Sequence, residues 1–448
     1  MLTRLDRVRP FALHETMLPA AALLPTAQVA IERFLGAGRR ELRQRLHGYL
    51  RWLDGAGRTA SPARAQDRFA GLRWRFNDLL SQFDVFHDAI TQRSEHETGV
   101  WLSGLDVAAV DALSLPARFF DPPPVICYLD RGPGGAIRRA RTRLPGGGRN
   151  PVAIIRIPRE RMVGHGIAAS LVHEVGHQAA ALLGLVRSVR LALRPLVTGR
   201  GPRERVAWSL WSRWISEVLA DFWAVGKLGI AGTLGLMSVV SLPRWFVFRV
   251  NPNDPHPVPW IRVQASAALG ALLHPDRQWR DLAELWRSYY PVAGSAPEVR
   301  ETFAALLDTL PELAALLVGH RPGALRGAPL AGVMPAGERS SGPLLREFDT
   351  WAARPALLRA APPTLAFAAL GQARVAGRLS PEAESRVLGD LLTHWALDST
   401  LAVARRCAGH PSSPYPITTS RRQHHERHAT TRWTEPPGLD RRPAAALG

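Results

Sequence analysis

Apolar residues recur at three- and four-residue spacing from Ala27 to Leu53 and again from Ala63 to Leu102, the period of a helix face turned toward a core. Between the two runs lies Asp54-Gly-Ala-Gly-Arg-Thr-Ala-Ser-Pro62, a turn punctuated by glycine and proline. The pattern predicts an antiparallel helical hairpin. From Pro116 to Pro158 it changes to short apolar runs separated by glycine- and proline-rich loops. Pro151-Val-Ala-Ile-Ile-Arg-Ile-Pro158 is β-branched and bounded by proline, which predicts a strand whose edge offers itself to an extended peptide. The loops Arg131 to Gly135 and Pro145 to Gly148 lack the Gly-Lys-Ser/Thr ending of a phosphate loop and read as hairpin or flap loops over a cleft. Gly164 to Leu185 is rich in Ala, Leu and Val with no proline, a buried helix. Helical spacing returns over Arg262 to Leu273, Trp279 to Tyr290, Ala296 to Val318 and, with breaks, Leu365 to Ala396, while Gly319 to Gly342 reads as a linker. Past Gly409 the chain is polar and arginine-rich without an apolar period, which predicts disorder. The expected fold class is therefore α+β and predominantly α-helical with a small β-sheet. Its expected divisions are an N-terminal helical hairpin region (1–115), a central domain (116–275), a C-terminal helical region (276–408) and a tail (409–448).

Within the buried helix, Leu171-Val-His-Glu-Val-Gly-His-Gln178 places His173 and His177 one helical turn apart on one face, with Glu174 beside the first. Two neutral imidazoles at that spacing can share one metal ion, and a zinc ion lowers the pKa of bound water to about 7, where a neighbouring glutamate can take the proton. Gly176 costs about 1 kcal/mol of helix propensity relative to alanine, which predicts a close approach by another segment at that turn. A third histidine six residues on is excluded, because Ala180 and Leu183 stand where that pattern needs its glycine and histidine. Two downstream acids remain, Glu204 among arginines and Glu217 in Trp214-Ile-Ser-Glu-Val-Leu-Ala-Asp-Phe-Trp223. An unpaired carboxylate in an apolar helix is costly, so Glu217 is the better candidate. Asp221, one turn later, is placed to hold the distal nitrogen of a liganding histidine. Trp208, Trp211 and Trp214 recur on the approach to Glu217 and fit core packing better than an aromatic wall to a groove. His87, His96 and Glu97 match no common site and read as surface or core polar residues.

His173-Glu-Val-Gly-His177 followed by Glu217-Val-Leu-Ala-Asp221 resembles the H-E-x-x-H and E-x-x-x-D pairing of gluzincin metallopeptidases of the HtpX and CAAX-prenyl-protease type. A third element, His256-Pro-Val-Pro-Trp-Ile-Arg262, keeps the His-Pro and arginine order and spacing of those proteins. The resemblance spans about residues 120 to 275. It implies a zincin-like core in which His173, His177 and Glu217 bind Zn2+, Glu174 is the general base and Asp221 supports a ligand. It further implies that His256 and Arg262 sit near the substrate or the developing oxyanion, and that the substrate is a peptide or protein. The chain departs from that type in lacking its clear transmembrane helices.

Composition narrows the alternatives. With 448 residues, 46% of them hydrophobic, the chain can bury a sizeable core. The net charge of +19 comes from 56 arginines and the single Lys227 against 38 acids, a ratio that points to coding bias more than to selected phosphate contacts. No nucleic-acid-binding motif accompanies it, so no specific nucleic-acid partner is expected. Cys127 and Cys407 lack metal-ligand spacing, and a reducing cytoplasm fits them. No secretory signal is visible. Leu228 to Leu242, closed by Pro243-Arg244, is 15 residues with three glycines, short for a span and read as a buried element, with membrane-surface contact left open. His424-His-Glu-Arg-His428 lacks a metal-site order. The sequence thus favours a zinc metallopeptidase. Its rivals are a non-catalytic zinc-stabilised helical scaffold and, more weakly, a basic nucleic-acid-associated protein.

Overall fold

The computed structural model describes residues 1–7, 17–132, 134–251 and 253–408. After the short α1 (Leu2–Arg7) come two thirty-residue helices, α2 (Pro25–Asp54) and α3 (Pro62–Thr91). Each begins on proline, whose fixed φ suits a first helical position, and the Ser61 hydroxyl caps α3 by accepting from the Arg64 backbone N–H. Ile31, Leu35, Leu42 and Leu46 of α2 face Phe76, Leu79, Phe83 and Phe86 of α3 in a shared core. This is the predicted hairpin, but the second helix does not run unbroken to Leu102. It stops at Thr91, passes through a 3-10 turn at Gln92–Ser94, and a new helix, α4 (His96–Leu113), begins. Arg93 causes the break. Its guanidinium is fully buried, bound to Asp106 and the Cys127 carbonyl, while Gly99 packs so closely that a Cβ there would sit 2.3 Å from the Arg93 carbonyl oxygen. His87, His96 and Glu97 are exposed.

The sheet has three strands, β1 (Val125–Asp130), β2 (Ala136–Arg138) and β3 (Ala153–Pro158), in the order β1-β3-β2. Strand β3 pairs in parallel with β1, Val125 opposite Ala153 through Asp130 opposite Pro158, and antiparallel with β2, Ala136 opposite Arg156. The predicted strand is therefore present, but it lies at the centre of the sheet, with β2 paired along Ile154 to Arg156 of it. Among the described residues, the edge beside it belongs to β2.

The remaining helices are α5 (His165–Leu182), α6 (Leu185–Gly199), α7 (Pro202–Leu228), α8 (Ile230–Val240), α9 (Arg244–Val247), α10 (Pro259–Leu273), α11 (Gln278–Tyr289), α12 (Pro297–Gly319), α13 (Ser341–Ala353), α14 (Pro355–Ala360), α15 (Pro363–Val375) and α16 (Pro381–Ala408). Helix α7 is the axis of the core. Trp208, Trp211, Trp214 and Trp223 on it are fully buried, and aromatic side chains of that size dominate core energetics. Core packing, not an aromatic groove wall, is the role of the tryptophan stripe. Gly229, at φ +58°, ends α7 and reverses the chain into α8, so the expected buried element is internal from Leu228 to Val240 for the most part, while its end at Ser241 and Leu242 is exposed. Helix α12 is long and apolar enough to cross a membrane by length and composition, yet it buries Phe303, Leu306, Leu310, Leu313 and Leu317 in the same core. Residues 319–342 are not a linker. They form two 3-10 turns at Gly323–Leu325 and Leu330–Val333, and buried Leu325, Leu330, Val333 and Met334 fasten them, Met334 against Gly226 of α7.

One core cluster runs from Leu102 on α4 through the sheet to Trp395 on α16, and Met1–Ala404 forms one compact unit. The expected divisions at 115 and 275 thus share a core. Arg405–Gly448 clusters separately, and only its first residues, the end of α16, are described. The predicted disordered tail, with His424 to His428, lies outside the described residues.

The tightest seam is that between α5 and α7. A Cβ on Gly176 would lie 2.9 Å from Ala220 Cα and 3.0 Å from its carbonyl oxygen, so backbone must move to admit any side chain. Gly176→Val should lower unfolding free energy by about 1–3 kcal/mol, the usual cost of overpacking, as read from denaturant midpoints at constant slope.

Candidate metal centre

Helices α5 and α7 cross with His173, His177 and Glu217 facing one another. Their ligand atoms all lie within 4.8 Å of each other. His173 Nε2 is 3.3 Å from Glu217 Oε2, and His177 Nε2 is 3.4 Å from Glu217 Oε1. A tetrahedral centre with bonds near 2 Å needs ligand atoms about 3.3 Å apart, so two imidazole nitrogens and one carboxylate already stand at the spacing of a shared ion. The cluster can hold a metal.

The surroundings fix these groups. Asp221 Oδ1 is 2.9 Å from His173 Nδ1 and accepts its proton, which turns Nε2 toward Glu217. Arg262 on α10 grips the same carboxylate twice, Nε to Oδ2 at 2.7 Å and Nη2 to Oδ1 at 2.9 Å. Its Nη2 also lies 3.6 Å from Glu217 Oε2. Burial works against charge on every one of these groups, yet their partners prevail. Hydrogen bonds from His173 and His177 hold Glu217 far below the usual carboxylate range, and the Arg262 charge holds Asp221 down. Burial alone would lower the His173 pKa, but its bonds to Asp221 and Glu217 raise it to about 9.

Glu174 is different. It is 6% exposed, and burial raises its pKa because none of these cations bonds it. Its carboxylate lies against Gly135, where a Cβ would approach Oε1 to 2.8 Å. Gly134 and Gly135 border a cavity of about 300 Å3 that His173, Glu174, Glu217 and Arg262 line from within. Its other walls are largely apolar and small: Ala169, Gly232, Gly235, Leu236, Val239 and Val240. The loop after β1 is therefore a rim of the cleft, as predicted. The loop at 145–148 closes a hairpin across the Arg143–Arg149 bridge and borders a different cavity, packing on α2 and α3 with Gly148 against Phe34 and Gly146 against Asp78.

All seven residues singled out in the sequence meet here. His256 stands on the open side, its side chain 56% exposed, with Nε2 3.7 Å from Glu217 Oε2. Arg262 is largely covered and engaged by Asp221, so it acts on the centre through that acid as well as facing the cavity. Glu204, the rival third ligand, sits in the first turn of α7 and pairs with Arg200 at 3.6 Å, half-exposed, more than three turns from Glu217. Sequence reading overlooked Asp254, whose Oδ1 accepts from both the His256 backbone N–H (3.0 Å) and Nδ1 (2.8 Å). The signal was present as an acid two residues ahead of the histidine, the spacing of a local Asx turn. It also overlooked Ser216, beside Glu217, with Oγ 3.4 Å from His177 Nδ1.

Comparison with protein-family models, curated proteins and solved structures finds no match for this chain. The site stands on its own geometry.

Because its bonds to Asp221 and Glu217 raise the His173 pKa to about 9, uptake of a metal by this cluster at neutral pH would displace a proton. Apparent affinity should rise by roughly tenfold per pH unit from 7 to about 9 and level above, measured by chelator competition. Asp221→Asn, which removes the acceptor that orients His173, should weaken affinity by roughly ten- to a hundredfold at pH 7. Unchanged affinity in that variant would remove Asp221 from the centre.

Proposed function

We propose that this protein is a zinc metalloendopeptidase with a zincin-like core of the gluzincin type, hydrolysing peptide bonds with Glu174 as general base. The observation that carries the reading is the pairing of a three-ligand cluster with a fourth, buried carboxyl that takes no part in it. Two histidines and one glutamate suit zinc better than the harder divalent ions. A zinc ion held by His173, His177 and Glu217 supplies Lewis acidity to a water and to the scissile carbonyl.

The chain's own groups supply the rest. Glu174 faces the same cavity, and the burial that raises its pKa brings it nearer the value a base needs to take a proton from water and return it to the leaving amine. Asp221 and Arg262 keep His173 in one orientation through proton transfer nearby. His256, steadied by Asp254 through Nδ1, presents Nε2 on the open side of Glu217, where the ring carrying protons on both nitrogens can donate to a carbonyl oxygen that gains charge. The apolar walls favour a substrate with an apolar side chain beside the scissile bond.

A zinc-stabilised scaffold is the second reading. A structural ion needs no unliganded carboxyl kept out of water at its side, and burying one is costly. Glu174 therefore favours catalysis.

Glu174→Gln should retain about one zinc per chain and the native fold while peptide hydrolysis falls by at least about a hundredfold. Equal turnover by the variant and an active wild type would reject the assignment. His256→Ala should likewise keep its metal and lose roughly a hundredfold in kcat, since one donor to a developing oxyanion contributes about 3 kcal/mol. Retention of full kcat would leave His256 a rim residue only.

A further inference from the structure

The connection from α8 to α10 turns an apolar, basic surface outward beside the mouth of the cavity. Six consecutive residues, Ser241 to Phe246, are exposed, among them Leu242 at 40%, Trp245 at 63% and Phe246 at 38%. The rings of Trp245 and Phe246 stack on each other on α9. Beneath them Val247 and Phe248 are buried in the core, so the outward residues have no vacancy to fold into. The tip is also tied down. Tyr290 donates its hydroxyl to the Leu242 carbonyl at 2.9 Å, and the Arg244 guanidinium lies 4.6 Å over the Phe248 ring.

Charge follows the same surface. No acid occurs between Asp221 and Asp254. Arg244 and Arg249 flank the aromatic pair and are exposed. A third arginine, Arg161, reaches the last turn of α8 by donating to Ser238 Oγ at 2.9 Å. Indole and phenyl rings settle at the headgroup level of a bilayer, and each arginine near an anionic leaflet contributes about 1 kcal/mol of attraction. Three apolar side chains are too few for a stable protein interface, which needs about 800 Å2 per partner. A few apolar side chains joined to a basic patch are enough for reversible attachment to lipid.

We infer that the α8–α9 tip is a docking surface for an anionic lipid bilayer, with Leu242, Trp245 and Phe246 entering the interface and Arg161, Arg244 and Arg249 meeting lipid phosphates. Leu242 also lines the cavity. Docking therefore sets the cavity mouth at the membrane surface, where an accessible chain is one leaving or lying on the bilayer. The attachment is independent of what the centre catalyses.

The test is co-sedimentation of the purified full-length protein with vesicles of phosphatidylcholine alone or with roughly one-third phosphatidylglycerol. Wild type should pellet with the anionic vesicles and stay in solution with the neutral ones. Trp245→Ser with Phe246→Ser should lower the partition coefficient by roughly tenfold or more, as should Arg244→Gln with Arg249→Gln. Both double variants should keep wild-type circular dichroism and metal content, because the altered side chains are exposed and none touches the centre. Wild type that ignores anionic vesicles, or double variants that bind them as well as wild type does, would overturn the inference. A tip that mates with a second copy instead would give the first of those results, together with a sedimentation coefficient altered by the Trp245 and Phe246 changes. Loss of the hydrolytic reading would leave the vesicle result unaffected.

Discussion

The approach of α5 to α7 is the constraint on which the rest of the centre depends. Ligands on two helices share one ion only if the backbones are close enough for short side chains to meet, and ordinary helix pairs stand 8–10 Å apart according to the residues between them. Gly176, lying between the two histidines in sequence, removes the side chain that would hold α7 away, and Ala220, between Glu217 and Asp221, answers it. The residues that carry no chemistry thus decide whether the residues that do can meet. The same glycine weakens the helix by its own propensity, a cost that only the tertiary seam offsets.

Charge balance explains why so polar a crossing survives in an apolar core. Glu174, Glu217 and Asp221 are all buried, and the guanidinium beside them, largely covered, is that of Arg262. Three carboxyls facing one arginine leave an excess of negative charge in low dielectric unless protons or a metal cation complete it. Without metal the completion falls partly on His173, whose pKa rises to about 9, and partly on Glu174, whose pKa burial raises. A divalent cation relieves both at once. Elsewhere some of the chain's arginines lie in surface pairs away from the centre, such as Arg200 with Glu312 and Arg203 with Asp308, so the overall charge of +19 says little about the centre.

What was legible in the sequence was what has a period. The long helices and the buried helix around His173 follow from spacing, which survives without knowledge of contacts, and Glu217, which joins the two histidines, was legible as a carboxylate too costly to leave unpaired in an apolar helix. What was missed depends on partners distant in the chain. Nothing near Arg93 announces that Asp106 and the Cys127 carbonyl will bury it and end α3 early. Residues 319–342 look like a linker because Gly and Pro dominate them, whereas four apolar side chains spaced irregularly are enough to fasten them to α7 and α12. The central place of β3 is likewise invisible locally, since an edge and an interior strand of six residues read alike until β2 is found beside it.

Helix α8 shows how the cavity is shaped apart from the ligands. It touches its neighbours through small residues on three sides: Gly235 against Ala169 of α5, Gly232 against the α7 backbone at Ala224, and Ala231 against Gly371 of α15. A Cβ on Gly235 would stand 2.0 Å from that of Ala169, so the helix cannot turn about its axis to present another face. Leu236, Val239 and Val240 are consequently fixed toward the cavity, and its breadth is set by α8 while its chemistry is set by α5 and α7. Changes among those three apolar residues alter the shape of the space without approaching a metal-binding atom, whereas a side chain added at Gly232 or Gly235 displaces the whole wall. The shape of the cavity and the cluster that can hold a metal are therefore separable in this fold, because different helices carry them.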